Sequence, residues 1–288
     1  MLAFITSLRH PLNSADYGRV EQLLADTLAS VTAQTSDDFH VFVVGNKRPD
    51  FDLGPRVTFV PVDFPPPVNT PGPRTARAPF VWDKGTKIGI GLIAAREVAP
   101  DHVMIFDADD FVSRDLAEFA SARRGEPGWV VEEGYIFSRA RQAYRVQERF
   151  NQTCGTCHIV AWDAYAVPAA LTVEATQDEV AAGFGERLNE VLGAHHGARA
   201  WFAAQGFPLA ALPFRGAVYH VDTGENHSGK ALTGLVFPLG RRFAAEFGVP
   251  RLTSYPVAAW RAFYPTARNG IRNALARVTR RRAAPLAD

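Results

Sequence analysis

Cysteine and methionine are scarce, with two of each in 288 residues. Charge of either sign is not in excess: the net value is +1, which gives the chain no overall field to recruit nucleic acid or membrane. Long apolar runs are missing too, and nothing approaches the roughly 18 residues needed to cross a bilayer. Leu2 to Leu8 is apolar but short, lacks a basic leader and runs directly into Arg9-His10-Pro11. No targeting segment is therefore expected, and the expected location is the cytoplasm. The remaining composition is that of a folded chain. It is 47% hydrophobic and 21% charged, which excludes wholesale disorder, and the length suffices for one large α/β domain or two small ones.

The only two cysteines stand together in Cys154-Gly155-Thr156-Cys157-His158, the C-x-x-C-H spelling of covalent haem attachment. That attachment belongs to exported proteins and wants a second axial ligand, yet Met104 lies inside a strand-like run. A structural zinc site would need more ligands of the same kind, and there are no further cysteines. A thioredoxin-like site opens a helix, whereas His158-Ile159-Val160-Ala161-Trp162 reads as the start of a strand. The expectation is a loop and strand with small buried residues where backbone must come close to something, and no haem.

Hydrophobic periodicity outlines an α/β chain. Strands are expected at Leu2–Thr6, Phe39–Val44, Arg56–Val62 and Val103–Phe106, and a helix over Tyr17–Ala33 carries Val20, Leu23, Leu24, Leu28 and Val31 on one stripe. Asp63 to Asp83, with six prolines and with Arg74 and Arg77, reads as a long loop of the binding or lid type. Lys84–Val98 returns to helix, and Ser113 is placed to cap the helix carrying Leu116 and Phe119. Trp129–Ser138 reads as a hairpin through Glu133-Gly134, Gln177–Leu192 as an amphipathic helix, Arg199–Gln205 as a shorter one, and Phe214–Val221 as a last strand. The stretch from Trp260 to Arg282 alternates apolar residues with seven arginines. A basic amphipathic segment of that kind rests on anionic lipid or packs as a solvated terminal helix.

The strongest chemical signal is Asp107-Ala108-Asp109-Asp110 at the end of a hydrophobic strand. In open α/β sheets ligands bind beyond the carboxyl ends of strands. If the backbone stays extended, Asp107 and Asp109 lean to the same side. Two such charges are held together by a cation between them, as Mg²⁺ or Mn²⁺ is held through one or two carboxylates and substrate phosphates. The competing reading is an acidic turn that caps the following helix.

Asp83-Lys84-Gly85-Thr86-Lys87-Ile88-Gly89-Ile90-Gly91-Leu92, followed by V-M-I-F-D-A-D-D, resembles the nucleotide-sugar half of a GT-A glycosyltransferase, most like glycosyltransferase family 2. The likeness covers roughly residues 1–120 and is looser beyond. It implies a mixed, mostly parallel α/β sheet flanked by helices. Residues 1–112 would form the donor-binding half, 113–250 the acceptor-binding half of the same domain, and 251–288 a basic amphipathic tail.

The resemblance further implies a Mn²⁺ or Mg²⁺ cofactor on Asp109, with Asp107 on the metal, its water or the donor ribose, and with Lys84, Lys87 and Arg9 near the nucleotide. A late histidine, His220 or His227, would join the metal, although His220 sits inside a strand and competes for core burial. Where the family often has an acidic base, this chain offers His195 or His196, with Asp178, Glu179 or another acid as alternatives; capping or surface exposure is the competing reading of the two histidines. Gly155, Thr156 and Asp110 would line the substrate side.

The implied reaction moves a sugar from a nucleotide-sugar donor to a saccharide or lipid-linked hydroxyl acceptor, with inversion. The tail would make peripheral contact at the inner face of the membrane. A haloacid dehalogenase-like phosphatase with Asp107 as nucleophile is the first rival, but Phe111 stands where that family wants Thr or Val. A nucleotidyltransferase would want glycine in Thr6–Pro11, which has none. A non-catalytic sugar- or partner-binding module is the rival from another class.

Overall fold

A computed structural model describes residues 1–68, 77–225 and 230–263. The tail beyond 263, Arg74 and His227 lie outside the described residues.

The first strands and helices alternate. Strand β1 (Leu2–Ser7) leads to helix α1 (Tyr17–Val31), β2 (Phe39–Gly45), β3 (Val57–Pro61), α2 (Arg77–Ala95) and β4 (His102–Ile105). Asp16 starts α1 by accepting a hydrogen bond from the Arg19 amide at 3.2 Å. Then follow β5 (Phe111–Val112), α3 (Leu116–Ser121), β6 (Gly128–Val130), β7 (Glu133–Ser138), β8 (Ala143–Glu148) and β9 (His158–Ala161). The chain continues through α4 (Gln177–Phe184), α5 (Ala198–Ala204), β10 (Ala210–Ala211), β11 (Ala217–Val221), β12 (Phe237–Pro238) and α6 (Arg241–Phe247).

The result is a mixed α/β fold with a parallel-rich sheet flanked by helices. Seven strands run in the order β10-β6-β9-β4-β1-β2-β3, with β4, β1, β2 and β3 parallel and β9 antiparallel to both β4 and β6. Strand alternation divides the core. Leu2 and Phe4 pack with Val20, Leu24 and Leu28 of α1, whereas Ala3 and Ile5 pack with Ile88 and Leu92 of α2 on the other face. A second sheet, β12-β8-β7-β11-β5, shares the α1 side of the core and covers its own outer face with Phe243 and Phe247 of α6. Strands β6, β9 and β10 join the large sheet, so it draws on both halves of the sequence.

Several boundaries differ from the sequence expectation. Helix α2 begins at Arg77, not Lys84. Pro79 sits in its first turn, where a missing amide hydrogen breaks no helical bond. Trp129–Ser138 is not a hairpin: β6 and β7 enter different sheets, and the hairpin is β7 with β8. The helix over Gln177–Leu192 breaks after Phe184 at Gly185 (φ +56°), and a π-turn covers Leu188–Leu192. Ser113 is not the N-cap of α3, which is Asp115; its hydroxyl accepts from the Asp115 amide at 3.2 Å and donates to Glu246 at 2.6 Å.

Glycine decides how close α2 comes to the sheet. A Cβ on Gly91 would stand 2.4 Å from Ile5 Cγ2 and 3.1 Å from Val44 Cγ2. Both neighbours are β-branched and stiff at χ1, so neither swings aside. Gly91→Ala is therefore expected to lower stability by about 1–2 kcal/mol, overpacking outweighing the gain in helix propensity. Chemical denaturation checks this, and a midpoint at or above the parent's would refute it.

Candidate functional site

From β1 the chain passes to β2 and β3 on one side and returns to β4 on the other. The carboxyl ends of β1 and β4 thus flank a topological switch point, where α/β sheets open a crevice. A cleft of about 570 Å³ lies there. Arg9 follows β1, Lys84 comes from α2, Asp107 and Asp109 follow β4, Gly155 precedes β9, and His195 and His196 precede α5; all seven line it. The volume is that of small-molecule sites.

The acids reach the cleft by a turn rather than by strand alternation. Strand β4 ends at Ile105, and the Asp110 amide donates to the Asp107 carbonyl at 3.1 Å. Lys84 Nζ lies 2.5 Å from Asp107 Oδ1, and the Asp107 amide donates to Thr156 Oγ1 at 3.0 Å. Burial raises the Asp107 carboxyl pKa, but Lys84, His195 and the Gly155 amide together outweigh it and hold the value low. Asp109 is pushed up to about 7, by burial first and then by the Asp107 charge. Asp110 does not face substrate. It is fully buried, accepts from Thr156 Oγ1 at 2.5 Å, Cys154 Sγ at 2.9 Å and the His220 amide at 3.0 Å, and is raised well above the carboxylate range by burial and its two neighbours. Thr156 is fully buried as well, so it braces the acidic turn and does not line the cleft.

The cations divide by helical phase. Lys84 meets Asp107, while Lys87, three residues on, turns beneath the cleft. Lys87 Nζ is fully buried, 2.8 Å from Asp83 Oδ2 and 3.0 Å from the Leu8 carbonyl, and does not reach the cleft wall. Arg9 lies over the Phe80 ring at 5.6 Å and is held by Glu225 through its carboxylate at 3.3 Å and its carbonyl at 3.0 Å.

His220 is likewise not at the cleft. Alternation along β11 sends Tyr219 to the cleft wall and His220 inward, between the rings of Phe111 (5.3 Å) and Phe137 (5.4 Å). Burial pushes its pKa down to about 3. The rings of His195 and His196 lie with centroids 4.1 Å apart, tilted by 30°. Burial, then His196, push His195 down to about 3, so its ring is neutral. A Cβ on Gly155 would stand 3.1 Å from Asp107 Oδ2 and 3.5 Å from both His195 Nδ1 and Lys84 Nζ. Glycine there leaves the space between these three groups open.

Cys154 and Cys157 are buried in the core, and burial raises both thiols well above their ordinary pKa. Asp107, Asp110 and Cys154 bring one potential ligand atom each within 4.8 Å of one another. Cys154 and Asp110 are already bonded to each other and closed off by Thr156, so this trio is a poor ion cage. Asp107 and Asp109, both on the cleft wall, are the hard oxygen donors suited to Mg²⁺ or Mn²⁺. Sequence reasoning did not single out Glu225 or Asp83. Glu225 follows a strand far along the chain, and only tertiary contact joins it to Arg9. Asp83 carried a signal, its i,i+4 spacing to Lys87, which ordinarily marks an exposed pair.

No family model and no curated protein sequence matches the chain. Among solved structures, S. aureus TarS aligns at 10% identity and a TM-score of 0.42, over 76% of this chain and 36% of that one. A structure of S. aureus TarS 1-349 aligns at 12% identity and a TM-score of 0.41, over 76% of this chain and 60% of that one. The chain thus spans less than two thirds of the TarS chain in either structure.

Proposed function

We propose that this chain is a GT-A glycosyltransferase of the family 2 type, moving a sugar from a nucleotide-sugar donor to a saccharide or lipid-linked hydroxyl acceptor with inversion. The observation that carries the reading is the Asp107–Asp109 pair beside Lys84 and Arg9 at the switch point of the sheet. Carboxylates and cations in one crevice suit a diphosphate together with a divalent ion, and are poorly explained by an uncharged ligand. In this reading residues 1–112 form the donor half and 113–250 the acceptor half. The enzyme works in the cytoplasm, with its arginine-rich tail against the inner face of a membrane.

Asp109, with Asp107, would hold Mn²⁺ or Mg²⁺. The ion supplies positive charge to the departing nucleoside diphosphate. Arg9, fixed over Phe80 by Glu225, meets phosphate without having to be ordered on binding. Lys84 keeps Asp107 ionised and close to the same charge. Gly155 leaves room for the transferred sugar beside Asp107. His195, neutral and with Nδ1 toward Gly155, can accept the proton of an acceptor hydroxyl, and His196 stands behind it as the exposed alternative.

Calorimetric titration of UDP, GDP and dTDP, with and without Mn²⁺, tests the reading on the wild type and on Asp109→Ala. Metal-dependent binding of one nucleotide, lost in the variant, is expected. Failure of all three nucleotides to bind in the presence of metal would remove the donor site.

A further inference from the structure

Large apolar side chains are mostly covered, but the exceptions gather in one place. Of nine exposed among the described residues, seven lie between positions 235 and 263. The backbone segments that carry them are tied to the Arg141–Gln142 corner. Arg141 donates to the carbonyls of Leu232 (2.9 Å) and Ala262 (2.5 Å), and Gln142 bonds the amides of Leu239 (2.7 Å) and Leu252 (2.9 Å).

The helix over 255–263 is amphipathic the wrong way round for a surface helix. Ala258 and Ala262 face the protein at 1% and 0% exposure, while Val257, Trp260 and Phe263 stand outward at 40%, 60% and 53%. A solvated helix puts polar residues on that face. Large apolar side chains exposed on one face of a helix mark a surface that something else covers.

Charge identifies what covers it. Residues 230–263 carry five basic residues and one acid. Arg241, Arg242 and Arg251 are exposed in the same stretch of chain. A second copy of the chain would bring the same positive charge against it, which is repulsive. An anionic bilayer satisfies both features, because tryptophan and phenylalanine enter the headgroup boundary while arginines meet lipid phosphate.

We infer that the outward face of the 255–263 helix, with Leu235, Phe237 and Leu252, is a membrane-docking surface for anionic lipid. None of these residues lines the cleft, so the inference stands apart from the transfer reaction.

Co-sedimentation of the full chain with phosphatidylcholine vesicles, with and without about a third phosphatidylglycerol, is the test. The chain is expected to bind the anionic vesicles, more weakly as salt rises. The double variant Trp260→Ser/Phe263→Ser, at side chains 60% and 53% exposed, should bind on the order of tenfold or more weakly, its melting curve being checked against the parent's. Three outcomes would overturn the inference. One is no binding to anionic vesicles at low salt. The second is undiminished binding by the double variant, which assigns contact to the tail alone. The third is a wild-type dimer that the double variant dissociates, which makes a second copy the cover.

Discussion

Lys87→Met is expected to destabilise the protein by about 3–5 kcal/mol, because it strips the partner from a buried charge. The ammonium is fully buried and the Asp83 side chain is 7% exposed. Burial raises the Asp83 pKa and lowers that of Lys87 in spite of their contact, so desolvation outweighs the attraction on both sides. A pair of this kind contributes little net stability, and its loss is felt through the charge left behind. Asp83→Leu combined with Lys87→Met should therefore recover most of the loss.

Ligand affinity should respond differently. The Leu8 carbonyl, next to Arg9, loses its Lys87 hydrogen bond in both variants, so nucleotide binding should stay weakened even where stability returns. Thermal denaturation of the single and double variants, with nucleotide titration of each, separates the two effects. A Lys87→Met protein that melts with the wild type would show that the lysine carries no buried charge pair.

The second large effect concerns Asp109. Asp109→Ala should weaken Mn²⁺-dependent nucleotide affinity by about 100-fold, equivalent to about 2.7 kcal/mol. The same residue sets a pH dependence. Its carboxyl is held near pKa 7 by burial and by Asp107, so below that pH it carries a proton that an incoming cation must displace. Apparent Mn²⁺ affinity should therefore rise about tenfold per pH unit below 7 and level off above, with close to one proton released at the acid end. In Asp109→Asn the slope should disappear. Calorimetry in two buffers of different ionisation heat counts the protons, and an affinity flat from pH 6 to 8 in the wild type would contradict the assignment.

Order along the chain was legible because it rests on local patterning. The short apolar runs of β1 and β2, the stripe of α1 and the acidic end of β4 all appear in the residues themselves, since run length and a 3.6-residue period are properties of a single segment. Charge asymmetry is of the same kind: the arginines of the last 59 residues are visible without any fold.

Which of several similar residues faces the cleft was settled only in three dimensions. Asp109 and Asp110 are adjacent and chemically identical, yet the turn after β4 opens one to the cleft and seals the other under Cys154, Thr156 and the His220 amide. Lys84 and Lys87 share a helix, and three residues of rotation separate the cleft from the core. His220 and Tyr219 exchange roles by strand parity, and Glu225 reaches Arg9 across more than two hundred positions. The sequence by itself determined that two carboxylates would end a buried strand in an α/β sheet. Tertiary packing decided which of the neighbouring charges meets solvent, because exposure of a side chain depends on what the rest of the chain places over it.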